Sequence, residues 1–378
     1  MLKEANLSSR RLTLKSLLIS MAIFISLPCL GKTIEIMSYN VENLFDIVHD
    51  EGKNDWTFLP TKTKGKKEAC DKVKSSYRKK ECHETDWAKD NLEVKIENIT
   101  KMVRRDGKLP AILALSEIEN ERVISQLAKF IGYKKFAVSD SPDKRGIDLA
   151  VLWNETEDVK FLSKKEHVLK GEYFKDRPSR NILEVEFQIG KKEKLTVFVN
   201  HWPSLSNPTE ARIIAAKTLA KRTKEILKKN KNQNIMAMGD FNTIDENYPH
   251  PFKSVLYKDD LYKDLHTTFK KDKSISYNVK DQMAPGSYFY GRGMTWNLLD
   301  RIFFTNNLTN NSGLEIDIAS YQIYAPSFAT RTYEYRSKGK YLYGSTIKGT
   351  PFRYEHNSTS NRRAGYSDHF PLIVNLKY

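Results

Sequence analysis

The sequence predicts an α/β protein, and three features carry that expectation: short apolar runs that stop abruptly at polar residues, stretches of helical period between them, and an apolar fraction of 39% that includes 19 Tyr, 18 Phe and 5 Trp. The last excludes wholesale disorder, because that much apolar and aromatic surface fills a sizeable core. The 378 residues could hold two average domains. Layered α/β folds of ~250 residues or more often form one unit, however, and a single domain with insertions is expected.

Residues 1–31 stand apart from the rest. Lys3, Arg10, Arg11 and Lys15 precede the apolar run Leu17–Leu30, which ends among Pro28-Cys29-Leu30-Gly31. A basic stretch, a short apolar stretch and a small-residue site follow the order of a secretory signal peptide, here cleaved after Gly31. The run is shorter than the ~20 residues a bilayer crossing needs, and Ser26 and Pro28 are poor neighbours for lipidation of Cys29. A secreted or periplasmic location is expected, with residues 32–378 as the folded domain and no stable membrane insertion after cleavage. Losing the segment removes four basic and one acidic side chain and lowers the net charge from +16 to +13, which suits a polyanionic partner. Two cysteines remain, Cys70 and Cys82. In an oxidising compartment they are expected to pair, with two free thiols as the alternative.

The apolar runs read as buried strands at Ile34–Ser38, Ala111–Leu115, Leu149–Trp153, Leu195–Val199, Ile235–Met238, Ile302–Phe304 and Pro371–Leu376, each bounded by turn or polar residues. Between them, Leu92, Ile96, Ile99 and Val103 recur at helical spacing, as do Val123, Leu127 and Phe130, and Pro208–Lys229 reads as a long basic amphipathic helix. Two regions resist the scheme. Residues 50–90 place nine Lys or Arg between Thr61 and Glu81 against Glu68, Asp71 and Glu81, which predicts an inserted surface loop stapled by the cysteines. Residues 320–365 form a second polar insertion, rich in Tyr and Arg, before the last strand. The chain shows no internal repeat, Gly-rich phosphate loop or zinc-type Cys/His spacing.

Polar residues collect where those strands stop: Ser38-Tyr39-Asn40-Val41-Glu42-Asn43, Ser116-Glu117-Ile118-Glu119-Asn120, Asn200-His201-Trp202-Pro203, Gly239-Asp240-Phe241-Asn242, Asp300-Arg301 and Ser367-Asp368-His369. Singly, an Asp or Asn after a strand is usually a turn or cap and a lone His is usually structural. The ordered set is what points to chemistry. A phosphodiester repels hydroxide, so its hydrolysis needs a cation on the phosphate, an activated water and help for the leaving oxygen. Hard divalent ions take oxygen ligands, and a His beside an Asp has the logic of a base held in one tautomer.

In residues and order, from Ile34 to Val374, the chain resembles the endonuclease/exonuclease/phosphatase superfamily; Gly239-Asp240-Phe241-Asn242 and Ser367-Asp368-His369 are the most specific parts, and Tyr39–Asp46 looks like the opening of its bacterial members. The resemblance implies a DNase I-like four-layer α/β sandwich, two central mixed β-sheets flanked by helices, with the site at one edge. It implies a divalent-metal-dependent phosphodiester hydrolase using Mg²⁺ or Mn²⁺, with Ca²⁺ a further option. Glu117 would be the principal metal ligand, with Asp368, Asn40 and Glu42 completing the shell. His369 would be paired with Asp300, Asp240 and Asn242 would contact the attacking water and phosphate, and either Asp240 or His369 would be the base. His201 would bind the phosphate or protonate the leaving oxygen, with Asp148 as its orienting acid. Arg177 and Asn200 are expected to contact substrate, and Glu119 to be a bystander.

Within the superfamily, Asn297-Leu298-Leu299-Asp300-Arg301 lacks the Trp-Cys-Asp-Arg of the inositol-polyphosphate 5-phosphatases, and Asn200-His201-Trp202-Pro203 departs from the sphingomyelinase pattern. Export, the charge of +13 and the lysine-dense insertion favour a monomeric endonuclease acting on DNA and, as a second substrate, RNA, because each phosphate neutralised releases a counterion. A phosphodiesterase or phosphatase acting on a phospholipid headgroup and a non-catalytic nucleic-acid-binding protein stay open as alternatives. Trp296 and Tyr290, near Asp300, are read first as core packing and second as surfaces on which a base could stack.

Overall fold

Successive side chains of a strand point to opposite faces, so an unbroken apolar run fits a strand covered on both sides, and the core shows both coverings. Ile36, Ile112, Ala114, Val197, Met236, Met238 and Ile302 share one buried cluster. Their chain neighbours Met37, Leu113 and Leu115 belong to a second cluster, and Phe198, Ile235, Ala237 and Phe303 to a third. The first cluster lies between two sheets, and the other two lie beneath the helices outside them.

This computed structural model describes residues 31–337, 340, 342–358, 360 and 363–378; residues 1–30, which hold almost all of the expected signal segment, lie outside the described residues. Residues 32–378 cluster as one unit. The first sheet contains β1 (Thr33–Leu44), β2 (Ile112–Ile118), β3 (Lys135–Val138), β4 (Asp148–Trp153), β13 (Glu315–Ile323) and β16 (Leu372–Lys377), in spatial order β13-β16-β1-β2-β4-β3. The second contains β5 (Val159–His167), β6 (Ile182–Ile189), β7 (Glu193–His201), β8 (Asn234–Asp240), β9 (Lys263–Asp264) and β12 (Asp300–Phe304), in order β5-β6-β7-β8-β12-β9. Each sheet is mixed: β1–β2 and β7–β8 run parallel, and the other neighbours antiparallel. Two hairpins stand outside the sheets, β10 (Tyr288–Tyr290) with β11 (Thr295–Asn297) and β14 (Thr330–Glu334) with β15 (Thr346–Pro351). This is the expected α/β sandwich.

Helices cover the outer faces. On the first sheet, α3 (Lys89–Val103) buries Leu92, Ile96, Ile99 and Val103 as their spacing predicts, and α4 (Glu121–Ile131) starts where the Asn120 side chain accepts the Val123 N–H. Its stripe continues through Ile131 rather than Phe130, which is 54% exposed. On the second sheet, α6 (Thr209–Lys229) lays the small residues Ala211, Ala215 and Ala216 and Leu219 into the core. Short helices α5 (Glu172–Asp176), α7 (Leu265–Lys271) and α8 (Tyr277–Asp281) fill the connections.

The region expected to be a lysine-rich loop is instead partly helical, with α1 (Lys66–Asp71) and α2 (Ser76–Glu84) joined by the Cys70–Cys82 disulfide. Ser75 caps α2 by accepting the Arg78 N–H. Lys66 is buried, donating from Nζ to the carbonyls of Thr57, Leu59 and Thr85, and burial pushes its amine down to about 8. One of the nine basic residues is therefore an internal strut. No helix among the described residues is long and apolar enough to cross a membrane.

Candidate active site

Register brings the polar strand ends together. In the second sheet His201 lies opposite Asp240 and Asp240 opposite Asp300. In the first, Asn40 lies opposite Ser116, the residue before Glu117, and Ser38 opposite Leu372, just after Asp368-His369. The backbone is irregular at this edge: the register slips between Asn40 and Leu44 and between Ser116 and Ile118. Glu42, Asn43, Glu117 and Asn242 have φ of 53°, 60°, 62° and 44°. Each such residue costs of order 1–3 kcal/mol and persists where surrounding structure enforces it, and bulges of this kind re-aim side chains. Gly239 has φ +126°, and a Cβ there would stand 2.1 Å from the Asn200 carbonyl oxygen, so only glycine lets β8 turn Asp240 into the site.

Glu117, His201 and Asp240 each offer a ligand atom within 4.8 Å of the others. His201 Nε2 lies 3.5 Å from Glu117 Oε1 and 3.7 Å from Asp240 Oδ2. The Asn40 amide bridges the carboxylates, donating to Glu117 Oε1 at 3.1 Å and to Asp240 Oδ2 at 3.2 Å, while the Asn43 N–H donates to Glu117 Oε2 at 3.2 Å. Asn242 donates to Asp240 twice, from its backbone N–H at 2.8 Å and its side chain at 3.0 Å. Burial raises the Asp240 carboxyl to about 7; His369 opposes that shift and Asp300 and Glu117 add to it. His201 is held well below the usual imidazole range by burial and by the charges of Arg180, Arg145 and His369, so it is neutral here.

His369 and Asp300 form a buried pair, Nδ1 to Oδ2, at 2.6 Å. Burial alone would lower the imidazole, but Asp300, Asp368 and Asp240 outweigh it and hold His369 well above the usual range. Its Nε2 faces Asp368 Oδ1 at 3.8 Å and Asp240 Oδ2 at 4.0 Å. Ser367 fixes the turn by donating to the Asn40 carbonyl at 2.7 Å and accepting the His369 N–H at 3.0 Å. Burial and the Glu42 charge raise Asp368 to about 7 against the pull of His369 and Arg353.

Four expected site residues lie elsewhere or do something else. Glu42 does not join the Glu117 group: one carboxylate oxygen is paired with Arg353 Nε and the other accepts the Tyr354 N–H at 2.9 Å, so both belong to the second insertion. Asn200 does not face substrate. It is fully buried, donating to the carbonyls of Phe198 and Met238 and accepting the Trp202 indole N–H at 3.0 Å. Asp148 does not orient His201: its carboxylate accepts from Ser139 Oγ at 2.6 Å and the Ser141 N–H at 2.9 Å, while His201 Nδ1 has no partner. Arg177 is exposed, over the Tyr173 ring. Arg180, three residues on, is the arginine that reaches the site: it is buried and donates to the carbonyls of His201 at 3.1 Å and Trp202 at 2.6 Å. Its position after Arg177-Pro178 was the available signal.

Two further residues enter that sequence reasoning did not name. Arg353 bridges Glu42 and Asp368, its Nη2 lying 3.6 Å from Asp368 Oδ2. Lys95, fully buried, donates to the Tyr366 carbonyl at 3.0 Å and lies 4.1 Å from the Tyr354 ring centre. Burial lowers its amine to about 8 against the pull of Glu42, Asp368 and Glu117. Glu119 stays outside the group, accepting the Asp46 N–H at 2.8 Å.

The donor set fits a hard divalent cation. Carboxylates of Glu117 and Asp240 converge on one polar amide, and burial together with neighbouring carboxylates raises Asp240 and Asp368 despite the opposing charge of His369. Asn40 presents its nitrogen to the carboxylates here, so service as an oxygen ligand requires its amide to turn over.

A profile described as the Endonuclease/Exonuclease/phosphatase family matches residues 35–378. No curated protein matches the chain. Among solved structures, a protein of that family from Bacteroides thetaiotaomicron aligns with a TM-score of 0.51 at 14% identity, covering 92% of this chain and 98% of that one. TDP2 from D. rerio, complexed with a single-strand DNA product, aligns with a TM-score of 0.50 at 14% identity over 92% and 99% of the two chains. A mannosyl-6-phosphatase from Bacteroides thetaiotaomicron gives 0.51 at 13% identity over 91% and 100%. At these identities the likeness is one of fold.

Proposed function

Since the chain belongs to the Endonuclease/Exonuclease/phosphatase family, whose members are hydrolases acting on phosphoesters, we propose that it is an exported, divalent-metal-dependent nuclease cutting phosphodiester bonds of DNA and, as a second substrate, RNA. The observation that carries the catalytic half is the convergence of Glu117, His201 and Asp240 with the His369–Asp300 pair at one sheet edge. The net charge of +13 after residue 31 favours a polyanion over a small phosphomonoester, and the structural neighbour with a single-strand DNA product supports the same substrate class.

Bound among Glu117, Asp240 and, with its amide turned, Asn40, a divalent cation would neutralise charge on the phosphate and the leaving oxygen. The protein groups have separable tasks. Asp300 accepts the Nδ1–H of His369 and leaves Nε2 as the atom that takes up or returns a proton. Asn242 and Asn40 hold Asp240 with its oxygens aimed into the site. His201, neutral and braced through its carbonyl by Arg180, presents one ring nitrogen to the phosphate side.

A phosphatase acting on a small phosphomonoester is the second reading, favoured by the mannosyl-6-phosphatase fold match. Incubation with plasmid and single-stranded DNA, with Mg²⁺ or EDTA, tests the first reading. The same protein tested on p-nitrophenyl phosphate and on sphingomyelin tests the alternatives. Nicking that needs metal supports the nuclease. Monoester turnover with intact DNA overturns it.

A further inference from the structure

The two hairpins outside the sheets meet over a cavity of 200 Å³ that opens beside Asp368. They touch at Gly291, where a Cβ would stand 2.5 Å from the Tyr333 ring. The cavity is lined by three guanidinium groups, Arg292, Arg331 and Arg353, and by Tyr288, Tyr290 and Tyr333, with Asp368 its one carboxylate. Arg353 is paired with Glu42 and Asp368. Arg292 and Arg331 have no carboxylate partner among the described residues; Arg331 stands over the Phe352 ring, 5.8 Å from its centre. Partial desolvation and the neighbouring Arg353 charge press Arg331 below the usual guanidinium range against the pull of Glu42 and Glu355, while the residue as a whole stays exposed to solvent.

We propose that this pocket seats the nucleotide adjoining the scissile phosphate, with its base against the tyrosine rings and its own phosphate on Arg331 and Arg292. The proposal rests on the nuclease reading above and adds to it a subsite supplied by the second insertion. The volume decides how much enters. Sites for drug-sized ligands run to ~300–1,000 Å³, so 200 Å³ suits one planar unit rather than several. Guanidinium forks match phosphate oxygens in pairs, and aromatic faces accept any base. Tyr290, 44% exposed, presents such a face, whereas Trp296 packs against Phe289 and Phe370 at ring distances of 5.3 and 6.3 Å and is committed to the core.

Adenosine 5′-monophosphate, adenosine and inorganic phosphate are each titrated calorimetrically into the purified protein in EDTA, with Arg292→Gln/Arg331→Gln and Tyr290→Ala beside the wild type. Cleavage of an oligonucleotide and of methyl p-nitrophenyl phosphate, which carries no base, is followed with Mg²⁺. The nucleotide is expected to bind more tightly than either fragment and to lose about 10-fold or more in each variant. Oligonucleotide kcat/KM should fall by a similar factor, with methyl p-nitrophenyl phosphate turnover unchanged. Inorganic phosphate binding as tightly as the nucleotide overturns the role of the rings. Nucleotide affinity or oligonucleotide kinetics unmoved by the substitutions, with cleavage intact, overturn the pocket alone, whereas a wild type that cuts no nucleic acid overturns the nuclease reading itself.

Discussion

Replacing Asp300 with Asn isolates what the carboxylate does for His369, because the substitution preserves shape and removes charge. Asp300 is 1% exposed, His369 is 5% exposed, and the contact is 2.6 Å. At an effective dielectric constant of about 20, unit charges ~4 Å apart attract by about 4 kcal/mol. At about 1.4 kcal/mol per decade that is nearly three powers of ten in rate, if the reaction runs through the protonated imidazole that Asp300 stabilises. A drop in kcat of roughly 100- to 1,000-fold is therefore expected, within the ~100- to 10,000-fold usual for a positioned acid or base. An Asn amide turned with its nitrogen toward Nδ1 would also impose the other tautomer and put the hydrogen on Nε2. The assay is steady-state cleavage of a labelled oligonucleotide by Asp300→Asn, His369→Ala and the double variant, with thermal unfolding as the folding control. Two groups acting as one unit should give a double variant little worse than the worse single one. Losses that multiply, in proteins whose Tm values match, would refute the pairing as a catalytic device.

Glu117→Gln keeps the side-chain shape but removes the charge that a cation needs, so activity should fall at least ~100-fold and recover in part at high Mg²⁺; unchanged metal dependence removes Glu117 from the site. Burial alone would raise Glu184, yet Arg222, at 2.6 and 2.8 Å, and His167, at 2.6 Å, bring it down to about 2. The folded state then holds this carboxylate ionised where the unfolded chain has begun to take up a proton, so its contribution is complete above ~4.5 and is lost as pH falls toward ~2. Glu184→Gln should cost about 3 kcal/mol at neutral pH, by denaturant titration, and the deficit should shrink in acid; a deficit independent of pH contradicts the ionic assignment. In the first insertion, Lys62, Lys64 and Lys67 are exposed while Lys66 is buried. Changing the three exposed lysines to Gln should flatten the log–log salt dependence of DNA affinity by up to roughly 3 units if each meets a phosphate, and a slope equal to wild type assigns the electrostatic footprint to other surfaces.

What could be read in the sequence was what one residue type dictates by itself. Buried strands show as apolar runs, and carboxylates, amides and imidazoles show at their ends. What depends on facing was harder. Asn200 neighbours His201, but a strand alternates its side chains, so adjacency placed Asn200 in the core rather than in the site. Asp148 starts β4 opposite Ile118, at the same sheet edge as Glu117, but its carboxylate is taken up by Ser139 and Ser141. Arg180 had only its place after Arg177-Pro178 to mark it, and Arg353 nothing beyond its charge in a basic stretch, since what distinguishes them is burial or pairing with residues far along the chain. Strand β6 was passed over although its signal is present, since Leu183, Val185, Phe187 and Ile189 alternate with Glu184, Glu186 and Gln188. Its partner β5 is masked by Lys160, Lys164, Lys165 and Glu166, the charges an edge strand carries against unwanted pairing.

Glu117 hangs from one sheet, while His201 and Asp240 hang from the other, so the site behaves like a caliper whose jaws are fixed to separate plates. The gap between them is set by the close-packed layer that keeps the plates apart, in which Ile36, Ala114, Val197 and Met238 are buried far from any chemistry. Interiors packed at crystal-like density transmit a change of even one methylene. A substitution in that layer can therefore detune catalysis while leaving every polar residue of the site in place. The hairpins and the disulfide-linked helices are attached at the rim and bear no such constraint. Divergence in this architecture should thus accumulate in what the jaws are offered, and spare the spacer that sets their opening.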